Sequence, residues 1–430
     1  MPPFTEVKNS ALCLFDKPSV QTDFLSNYRR QYFPFNTLDT EGPFEFRIEG
    51  SADEYIDVND IQLYVRAKIV KADGSALASG DKIAVTNLPI ATLFRDVTLH
   101  LGTKQIEGGQ MCYPYLGYFS TVMQFSPAAQ KSHMLTQGWF KDTAGKMDTD
   151  SGNDGYSKRA ELIKEGKEFE LMGPLFLNFC RQAQFLLPNV PMVIKFLPSE
   201  PDFACFSSAG TAVKVKFESV ILHVPRYKVN PSVIVGHNSG LKRQNAYYHL
   251  QHAEVQTFTV CKDIQSYNKD HLFPDQAPKL LLVGMVENEA FNGNYKKNPF
   301  NFQHFGLNKI ALFREGTSIP GLPFEPNFST GKYMQDYMNV MNVMKYANSD
   351  DTNGLTPFEF ANGYTIYAFD LTADNEAGGE HRQVNKTHDL RLEIAFESAL
   401  KHSINVVMYC VYDSAIEITD LRDVITHYGR

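Results

Sequence analysis

One succession of elements occurs twice along this chain, and this repetition limits the folds that the chain can adopt. The later occurrence opens with the apolar run 280–286, which is short and closely follows a proline, as buried strands often do. A loop rich in Asn, Gly and Lys spans 289–302, and a second strand-like run covers 308–313 before the turn at Gly316. Helical spacing of apolar residues then follows in 331–344. The order is strand, long loop, strand, glycine turn and helix.

The same order is found much earlier in the chain. Residues 61–69 predict a strand, 73–81 predict a loop rich in Gly, Ser and Asp, and 92–101 predict a second strand that ends at the glycine turn of 102–106. Helical spacing follows in 115–123. The two copies share few identical residues, and any β-rich chain can produce matches of this kind, so the prediction depends on pattern alone. The pattern indicates an internal duplication.

Further short strands are predicted throughout the chain, most of them bounded by Gly, Pro, Asp or Asn. A long irregular stretch at 141–166 and a short helix at 232–241 interrupt them. About eight short strands in each half favour sandwiches, and eight strands joined by long crossover loops are typical of a jelly roll. The predicted fold is an all-β double jelly roll, two tandem sandwiches of about eight strands each with short helices in the loops. The further predicted strands are 44–48, 185–187, 192–196, 213–221, 255–260, 364–369, 390–396 and 404–412.

The length of 430 residues predicts two or three domains, because a single core rarely extends so far. The expected division is an N-terminal arm at 1–36, a first jelly roll at 37–227 and a second jelly roll at 228–430. The arm is polar and punctuated by prolines, and it carries an apolar pair at 14–15 and a basic pair at 29–30. Such an arm either remains extended or packs partly on a neighbour.

The composition suits contact surfaces better than nucleic-acid binding. Aromatic residues make up 13% of the chain, with 32 Phe and 21 Tyr, which favours sandwich cores and large interfaces. The net charge is -8 and the pI is about 5.9, and the sequence contains no cluster of Lys and Arg. A protein that grips a nucleic-acid backbone needs such a cluster. Direct sequence-specific binding to nucleic acid is therefore not expected, and another component would neutralise the phosphates.

The cysteine pattern favours free thiols over disulfides or a metal framework. None of the six cysteines forms a Cys-x-x-Cys pair, and surroundings such as those of Cys410 are apolar, so buried thiols in a reducing compartment are expected. The N-terminus lacks a basic-then-apolar signal peptide, and no run approaches the ~18 apolar residues of a membrane span. A membrane-spanning segment is therefore not expected.

The helix predicted at 331–344 carries a row of adaptable side chains on one face. A Met-rich face can bind partners because the thioether chain adapts its shape. We expect this face instead to lie against the core or against another subunit. The residues at three-and-four spacing are Met334, Tyr337, Met338, Met341 and Met344.

No group of residues predicts catalysis, cofactor binding or a metal site. A jelly-roll enzyme of the cupin type would need a His-x-His pair, which the sequence lacks, and the hydrolase, metalloprotease and P-loop signatures are absent as well. The nearest groupings, His249 with His252 and His381 with His388, are expected to be surface or internally bonded histidines. The stretch 148–155 is only faintly similar to a calcium loop, because its glycines fall at other offsets and a glutamate at the last ligand position is missing. A solvated loop is expected there.

One further pattern runs from about residue 14 to the end of the chain. The stretches that carry it are 14–15, 18 with 21–22, 43–46 (PFEF), 55–58 (YIDV), 63–69 (LYVRAKI), 141–148 (KDTAGKMD), 290–302 (AFNGNYKKNPFNF), 361–364 (ANGY) and 369–372 (FDLT). In this order they resemble the major capsid proteins of Polinton (Maverick) elements and adintovirus-like viruses. Departures from the family are mainly in loop lengths.

The resemblance implies a double jelly-roll subunit of the lineage that includes adenovirus hexon-like proteins. Three subunits would form a homotrimer, a pseudo-hexameric capsomer, and capsomers would tile an icosahedral shell around double-stranded DNA. The implied partners are neighbouring capsomers, penton proteins and minor capsid proteins. The implied location is the virion, assembled in the nucleus or cytoplasm of a host cell. The family offers no catalytic, cofactor-binding or metal-binding residues to transfer.

Two other functions stay open on the sequence. A tandem β-sandwich could recognise glycans or receptors, in which case a sugar would shift its stability and no pseudo-hexagonal particles would form. A jelly-roll scaffold could also carry an enzyme, although the missing histidine pattern argues against that function.

Overall fold

The computed structural model describes residue 14 and residues 20–38, 42–379, 382–383 and 389–427. Within these residues the chain forms four principal antiparallel sheets, and each of them takes its strands from one half of the chain. Strands up to residue 229 build two sheets, and strands from residue 246 onwards build the other two. A small two-stranded sheet lies in the first half as well.

The elements of the first half follow one another with short helices between the strands. The strands are β1 (Phe24–Tyr32), β2 (Phe44–Ile48), β3 (Glu54–Ile56), β4 (Gln62–Lys71), β5 (Ile83–Val85), β6 (Phe94–Leu101), β7 (Lys104–Glu107), β8 (Phe169–Pro174), β9 (Met192–Pro198), β10 (Cys205–Ser207) and β11 (Val213–Val229). The α-helices are α1 (Pro89–Thr92), α2 (Tyr113–Gln124), α3 (Pro127–Gln130), α4 (Asp154–Ile163) and α5 (Pro201–Ala204). The 3₁₀ turns are Val58–Asp60, His133–Gln137, Lys164–Gly166 and Phe179–Arg181.

Helix α6 (Pro231–Leu241) connects this half to the second. The strands of the second half are β12 (Ala246–Val260), β13 (Ser266–Lys269), β14 (Leu280–Glu287), β15 (Leu307–Arg314), β16 (Thr317–Phe324), β17 (Ile366–Asp370), β18 (Leu390–Phe396), β19 (Ile404–Ile418) and β20 (Val424–Thr426). Its helices are α7 (Asn288–Asn292), α8 (Met334–Val343) and α9 (Pro357–Ala361).

Both halves have the strand order of a jelly roll. In the first half the sheets have the orders β1-β11-β4-β8 and β2-β9-β6-β7. In the second half the orders are β12-β19-β14-β17 and β13-β18-β15-β16. When the eight principal strands of each half are numbered along the chain, both halves give 1-8-3-6 and 2-7-4-5. The predicted double jelly roll is therefore confirmed, and the two halves repeat one topology as the pattern of elements indicated.

Strand β2 shows how the alternation of side chains builds a sandwich. Phe44, Phe46 and Ile48 of β2 are buried, and the residues between them are less so, as period-two alternation requires. Phe217, which belongs to the other sheet of this half, packs edge to face on Phe44 with 5.0 Å between ring centroids. It also stacks on Phe94 at 5.7 Å. These rings fill the space between the two sheets.

Strand β14 confirms the buried strand predicted at 280–286. It lies between β19 and β17 in its sheet, and all but its last residue is buried. At Gly284 a Cβ atom would lie only 2.5 Å from the ring of Phe302, so the missing side chain makes room for that ring. The strand therefore contacts the end of the loop that follows it.

The segment predicted as an N-terminal arm contains the first strand of the first jelly roll. Strand β1 pairs with β11 from Phe24 opposite Val229 to Tyr32 opposite Leu222, which is the place that β12 has against β19 in the second half. Nearly every residue of β1 is exposed, so its sequence lacks the alternation that reveals a half-buried strand.

The predicted boundary between the jelly rolls, after residue 227, falls inside β11 because that strand continues to Val229. Leu14 is exposed. The rest of the arm before the first strand, residues 1–13 and 15–19, lies outside the described part of the chain.

Among the local predictions of secondary structure, two in the first half are wrong. The stretch 141–166 was predicted to be irregular, but it contains α4, which begins where the Asn153 side chain accepts a hydrogen bond from the Tyr156 N–H at 3.3 Å. Few apolar residues mark this helix, so the periodicity is weak. The strand predicted at 185–187 is only an isolated bridge between Leu186 and Ile56.

The cysteines in the described residues are free thiols. Four of them are buried as predicted, but Cys261 is exposed, and Cys13 lies outside the described residues. The buried ones are Cys112, Cys180, Cys205 and Cys410.

Candidate functional site at the junction of the two halves

Three of the stretches that carry the family resemblance meet where the two jelly rolls join, and we call this meeting place the junction. The stretches are 141–148, 290–302 and 361–364. The Tyr364 hydroxyl donates to the Asp142 carbonyl oxygen at 2.7 Å, and the Gly145 N–H donates to the Asn362 carbonyl oxygen at 2.8 Å. Each of these bonds links one half of the chain to the other.

An aromatic cluster forms the apolar part of the junction. Helix α2 of the first half places Tyr118 and Phe119 towards the second half, because residues three and four apart share a helix face with Tyr115. The Phe300 ring stacks on Tyr118 with 4.0 Å between centroids, and Phe302 packs on Phe119 at 5.0 Å. All four of these rings are fully buried. The loop from the second half is thereby anchored in the core of the first.

A buried ion pair forms the polar part of the junction. The Asp142 carboxylate accepts hydrogen bonds from Arg159 Nη2 at 2.7 Å, from Asn153 Nδ2 at 2.9 Å and, across the junction, from Asn298 Nδ2 at 3.1 Å. The side chains of the ion pair are 2% and 0% exposed. Arg159 also donates to the carbonyl oxygens of two residues of its own half. A buried charge that is paired and fully hydrogen bonded in this way is tolerated in a core.

The carboxylate of Asp148 extends the polar network, so the loop predicted to be solvated at 148–155 is solvated only in part. It accepts from the Asn298 N–H at 2.7 Å and from Asn301 Nδ2 at 2.5 Å. Burial raises the pKa of Asp148 above its usual value. The loop lies against the other half of the chain, which the spacing of its own residues does not reveal.

The chemistry of the junction is that of a rigid joint. Its charged groups are bound by protein donors and acceptors, so they are engaged in holding two domains rather than in presenting a reactive group. Arg159 and Asn153 could not be recognised from the sequence, because single polar residues outside a motif carry no signal. The only indication was that the stretches which resemble the capsid proteins include Asp142 and Asn298.

A second connection between the halves, which we call the β12 contact, binds the edge of β12. Asn178 of the first half donates from Nδ2 to the Ala253 carbonyl oxygen at 2.9 Å and accepts from the Ala253 N–H at 3.0 Å. Gln110 Oε1 accepts from the Val255 N–H at 3.3 Å. The Glu107 carboxylate holds Asn178 by accepting from its N–H at 2.7 Å and from Nδ2 at 3.0 Å. Two amide side chains thus bind the backbone edge of a strand.

The pKa values of two carboxylates at the β12 contact are shifted in opposite directions. Burial raises the pKa of Glu107, against the favourable effect of nearby His252 and of its hydrogen bonds. Burial also disfavours ionised Glu254, but hydrogen bonds from His252, Gln256 and Gln110 outweigh it and lower the pKa of Glu254 to about 2. The two groups therefore make this contact responsive to pH.

The histidines considered as metal ligands are not brought together. His249 and His252 lie three positions apart on β12, so their side chains point to opposite faces of the sheet. The His249 ring lies 3.9 Å from Asp413, and the His252 ring lies 3.7 Å from Glu254. His381 and His388 fall outside the described residues. Among the residues that the structure does describe, no three His, Cys, Asp or Glu side chains are placed to hold a metal ion.

Helix α8 is present where the methionine pattern predicts it, but only part of the predicted row is buried. Met341 is buried, together with Val340 and Asp336, whereas Met334 and Met338 are 52% and 43% exposed. The predicted row of side chains is therefore divided between the core and the surface. Burial raises the pKa of Asp336 to about 6.

Comparison with known proteins finds likeness over nearly the whole chain. No family model matches it. It is 21% identical over 411 residues to the uncharacterized protein F54H12.2 of Caenorhabditis elegans, which covers 91% of this chain and 94% of that protein.

Solved structures with a similar fold come from viruses. A chain from the cryo-EM structure of the Sputnik virophage superposes with a TM-score of 0.64 at 13% identity, over 99% of this chain and 93% of that one. The Faustovirus major capsid protein gives 0.60 at 8% identity, over 95% and 93% of the two chains. The mavirus major capsid protein gives 0.53 at 12% identity, over 100% and 97%. At these identities the likeness establishes the double jelly-roll fold.

In the part of the chain that the structure describes, no helix is both long and apolar enough to span a membrane.

Proposed function

We propose that this chain is a viral major capsid protein of the kind found in Polinton (Maverick) elements and adintovirus-like viruses. The observation that carries the proposal is the pairing of two jelly rolls of one topology, fixed to each other by a buried junction. The stretches that resemble the capsid proteins of these elements supply several residues of that junction, among them Asp142 and Asn298. Similar folds in virophage, Faustovirus and mavirus structures support the same role.

In this proposal three copies form a homotrimer that contains six jelly rolls. A ring of six similar sandwiches has a nearly six-sided outline, so the trimer is a pseudo-hexameric capsomer that can tile an icosahedral shell around double-stranded DNA. Contacts within such an obligate trimer are large and apolar. Contacts between capsomers are weaker and more polar, so that errors in assembly can be corrected.

The proposed partners are neighbouring capsomers, penton proteins and minor capsid proteins. The proposed location is the virion, after assembly inside a host cell. The chain acts as a building block and not as an enzyme. Its net charge of -8 leaves the neutralisation of DNA phosphates to another component.

We also propose a division of the chain that follows the strands. The first jelly roll extends from β1 to the end of β11 at Val229, and the second extends from Ala246 onwards, with α6 as the connection. An N-terminal arm then comprises the residues before Phe24 rather than all of 1–36.

Sedimentation of the purified chain tests the assembly. We expect a stable species of about 146 kDa, three times the chain mass of 48.6 kDa, and pseudo-hexagonal particles by negative-stain microscopy. A monomer at micromolar concentration would contradict the proposal. If sugars raised the stability of such a monomer, the glycan-binding function would replace it.

A further inference from the structure

Strands β1 and β12 have equivalent places in the two halves, yet only β12 is covered. Each is the first strand of its jelly roll and, in the described residues, the outermost strand of its sheet. The first half covers β12 through the β12 contact. Eight of the nine residues of β1 are exposed, and the ninth is half-buried.

A line of paired residues across each sheet defines which positions correspond. Each line starts at the first residue of the third principal strand (β4 or β14) and its partner in the sixth (β8 or β17). It then follows the paired residues through the eighth strand to the outermost strand, β1 or β12. The lines are Pro174–Gln62–His223–Gln31 and Asp370–Leu280–Val411–Ala253. Gln31 in β1 therefore corresponds to Ala253 in β12, which is the residue that Asn178 binds on both backbone atoms.

The surface that covers β12 also has an equivalent. In the first half a cavity of about 780 Å³ lies among the β6–β7 hairpin, α2 and β12. In the second half a cavity of about 760 Å³ lies among the β15–β16 hairpin, α8 and the residues around the end of β17. Residues 104–108 of one hairpin and 317–321 of the other line the two cavities. We call the second cavity, bounded by 314–321, 339–348 and 368–375, the β16 groove.

The two cavities differ in what closes them. One wall of the first is formed by 252–255 of β12, from the opposite half. The described residues that line the β16 groove all come from the second half, so no described strand of the first half forms a wall of it. The β16 groove therefore lacks the wall that β12 gives to the first cavity, and β1 lacks the covering that the first half gives to β12. The groove and β1 are thus complementary surfaces of the same chain.

The lining of the β16 groove suits the edge of a strand. Amide side chains can donate to a backbone carbonyl and accept from a backbone N–H, as Asn178 does in the β12 contact. Asn375 follows the end of β17 about as closely as Asn178 follows the end of β8. The amides that line the groove are Asn342, Asn348, Asn375 and Asn339, whose Nδ2 already donates to the Ala368 carbonyl oxygen at 2.7 Å.

Apolar surface is available on both sides of such a contact. Phe33 and Phe35 follow directly after β1 and are 63% and 70% exposed. The groove contributes Ile319 and Val343. Burial of two exposed phenylalanines against aliphatic side chains stabilises an interface that hydrogen bonds alone would leave weak.

We propose that β1 of one copy of this chain docks in the β16 groove of a second copy, and so repeats between chains the contact that β12 makes within one chain. The occupant is a second copy because, within one chain, the equivalent surface of the first half already covers β12, the strand equivalent to β1. The strand and the groove lie on different halves, so the contact is head-to-tail, and such contacts close into rings when the rotation permits. This inference rests on the proposed capsomer and names its interface.

Cross-linking of the full chain tests the contact. In a background of Cys13→Ser and Cys261→Ser, the variant Gln31→Cys/Asn375→Cys is treated with a short bis-maleimide and run on a denaturing gel. We expect covalent dimers and trimers in at least about tenfold excess over either single variant, because each copy carries both partners of the proposed contact.

Two paired variants serve as controls. Gln110→Cys/Glu254→Cys lies across the β12 contact, where the side chains are 3.0 Å apart, and should cross-link within one chain without a gain in mass. Gln31→Cys/Lys158→Cys places the second thiol on the exposed side of α4, outside the groove, and should give no ladder. A trimer in sedimentation without the Gln31–Asn375 cross-link would overturn this inference and leave the capsomer standing. A monomeric wild-type chain would overturn both.

Discussion

The junction and the β12 contact both join the two halves of the molecule, but they do so with different chemistry. The junction buries an ion pair and stacked rings, in which Asp142 and Phe300 are inaccessible to solvent. The β12 contact consists mainly of amides on the edge of a strand, beside a cavity that the carboxylate of Glu254 lines.

The difference follows from what each surface must do before it is covered. A buried ion pair and a cluster of rings suit parts that fold together and never separate, because each would be unfavourable in water without its partner. A strand edge bound by amides can be solvated when it is alone. The β12 contact is therefore the better pattern for a contact between chains, which must fold before they meet.

The variant Arg159→Ala should show the largest effect. It leaves the Asp142 carboxylate buried without its cation, and breaking one partner of a buried ion pair destabilises a protein by roughly 3–5 kcal/mol. We expect a loss of that size in the free energy of unfolding, measured by urea denaturation.

Lys141→Met is the matched control at the same junction. The ion pair of Lys141 with Glu359 also links the two halves, at 2.7 Å, but both side chains are partly exposed. Partly exposed pairs contribute roughly 0–1 kcal/mol, so this variant should unfold almost as the wild type does. Equal losses in the two variants would show that the junction does not depend on its buried pair.

The variant Asn178→Ala should have a smaller effect at the β12 contact. It removes both hydrogen bonds to Ala253 and leaves the Glu107 carboxylate with fewer donors, and each unsatisfied buried group costs about 1–3 kcal/mol. We expect the free energy of unfolding to fall by about 2 kcal/mol. The control is Asn59→Ala on an exposed turn, which should stay within about 0.5 kcal/mol of the wild type. A loss as large as that of Arg159→Ala would remove the distinction between the two regions.

The sequence was sufficient to predict the fold because the strands that matter most for it are buried. The runs at 280–286 and 308–313 and the alternation at 44–48 each became a strand, since burial on one or both faces leaves a periodic signature. The signature vanishes where a strand is not covered within the chain. For this reason β1 was assigned to an arm.

The residues that join the halves could be predicted only in part. Tyr115 and Phe119 were visible as one face of a helix, and the family resemblance drew attention to Asn298. The partners of these residues lie in the other half of the chain, and pairing over such a distance has no local pattern. Arg159 and Asn178 therefore had no signal until the fold brought them into contact.

The smallest expected effect is the pH dependence that Glu254 gives to the β12 contact. Because the pKa of Glu254 in the folded chain is lowered to about 2 from an ordinary value of 4.5, the unfolded chain binds the proton more readily. The stability that Glu254 contributes is thus complete above about pH 5 and is lost as the pH falls towards 2. The stability advantage of the wild type over Glu254→Gln should shrink by about 1 kcal/mol between pH 5 and pH 3.5 in urea unfolding.

The comparison with Glu254→Gln isolates this group from its neighbour. Glu107, whose pKa is raised by burial, contributes with the opposite sign: its ionisation destabilises the folded chain as the pH rises through its unfolded pKa. Since Glu107 is present in both proteins, its contribution cancels in their difference. An advantage of the wild type that stayed constant over this pH range would mean that Glu254 titrates alike in the folded and unfolded chains, so that Glu254 would give the β12 contact no sensitivity to acid.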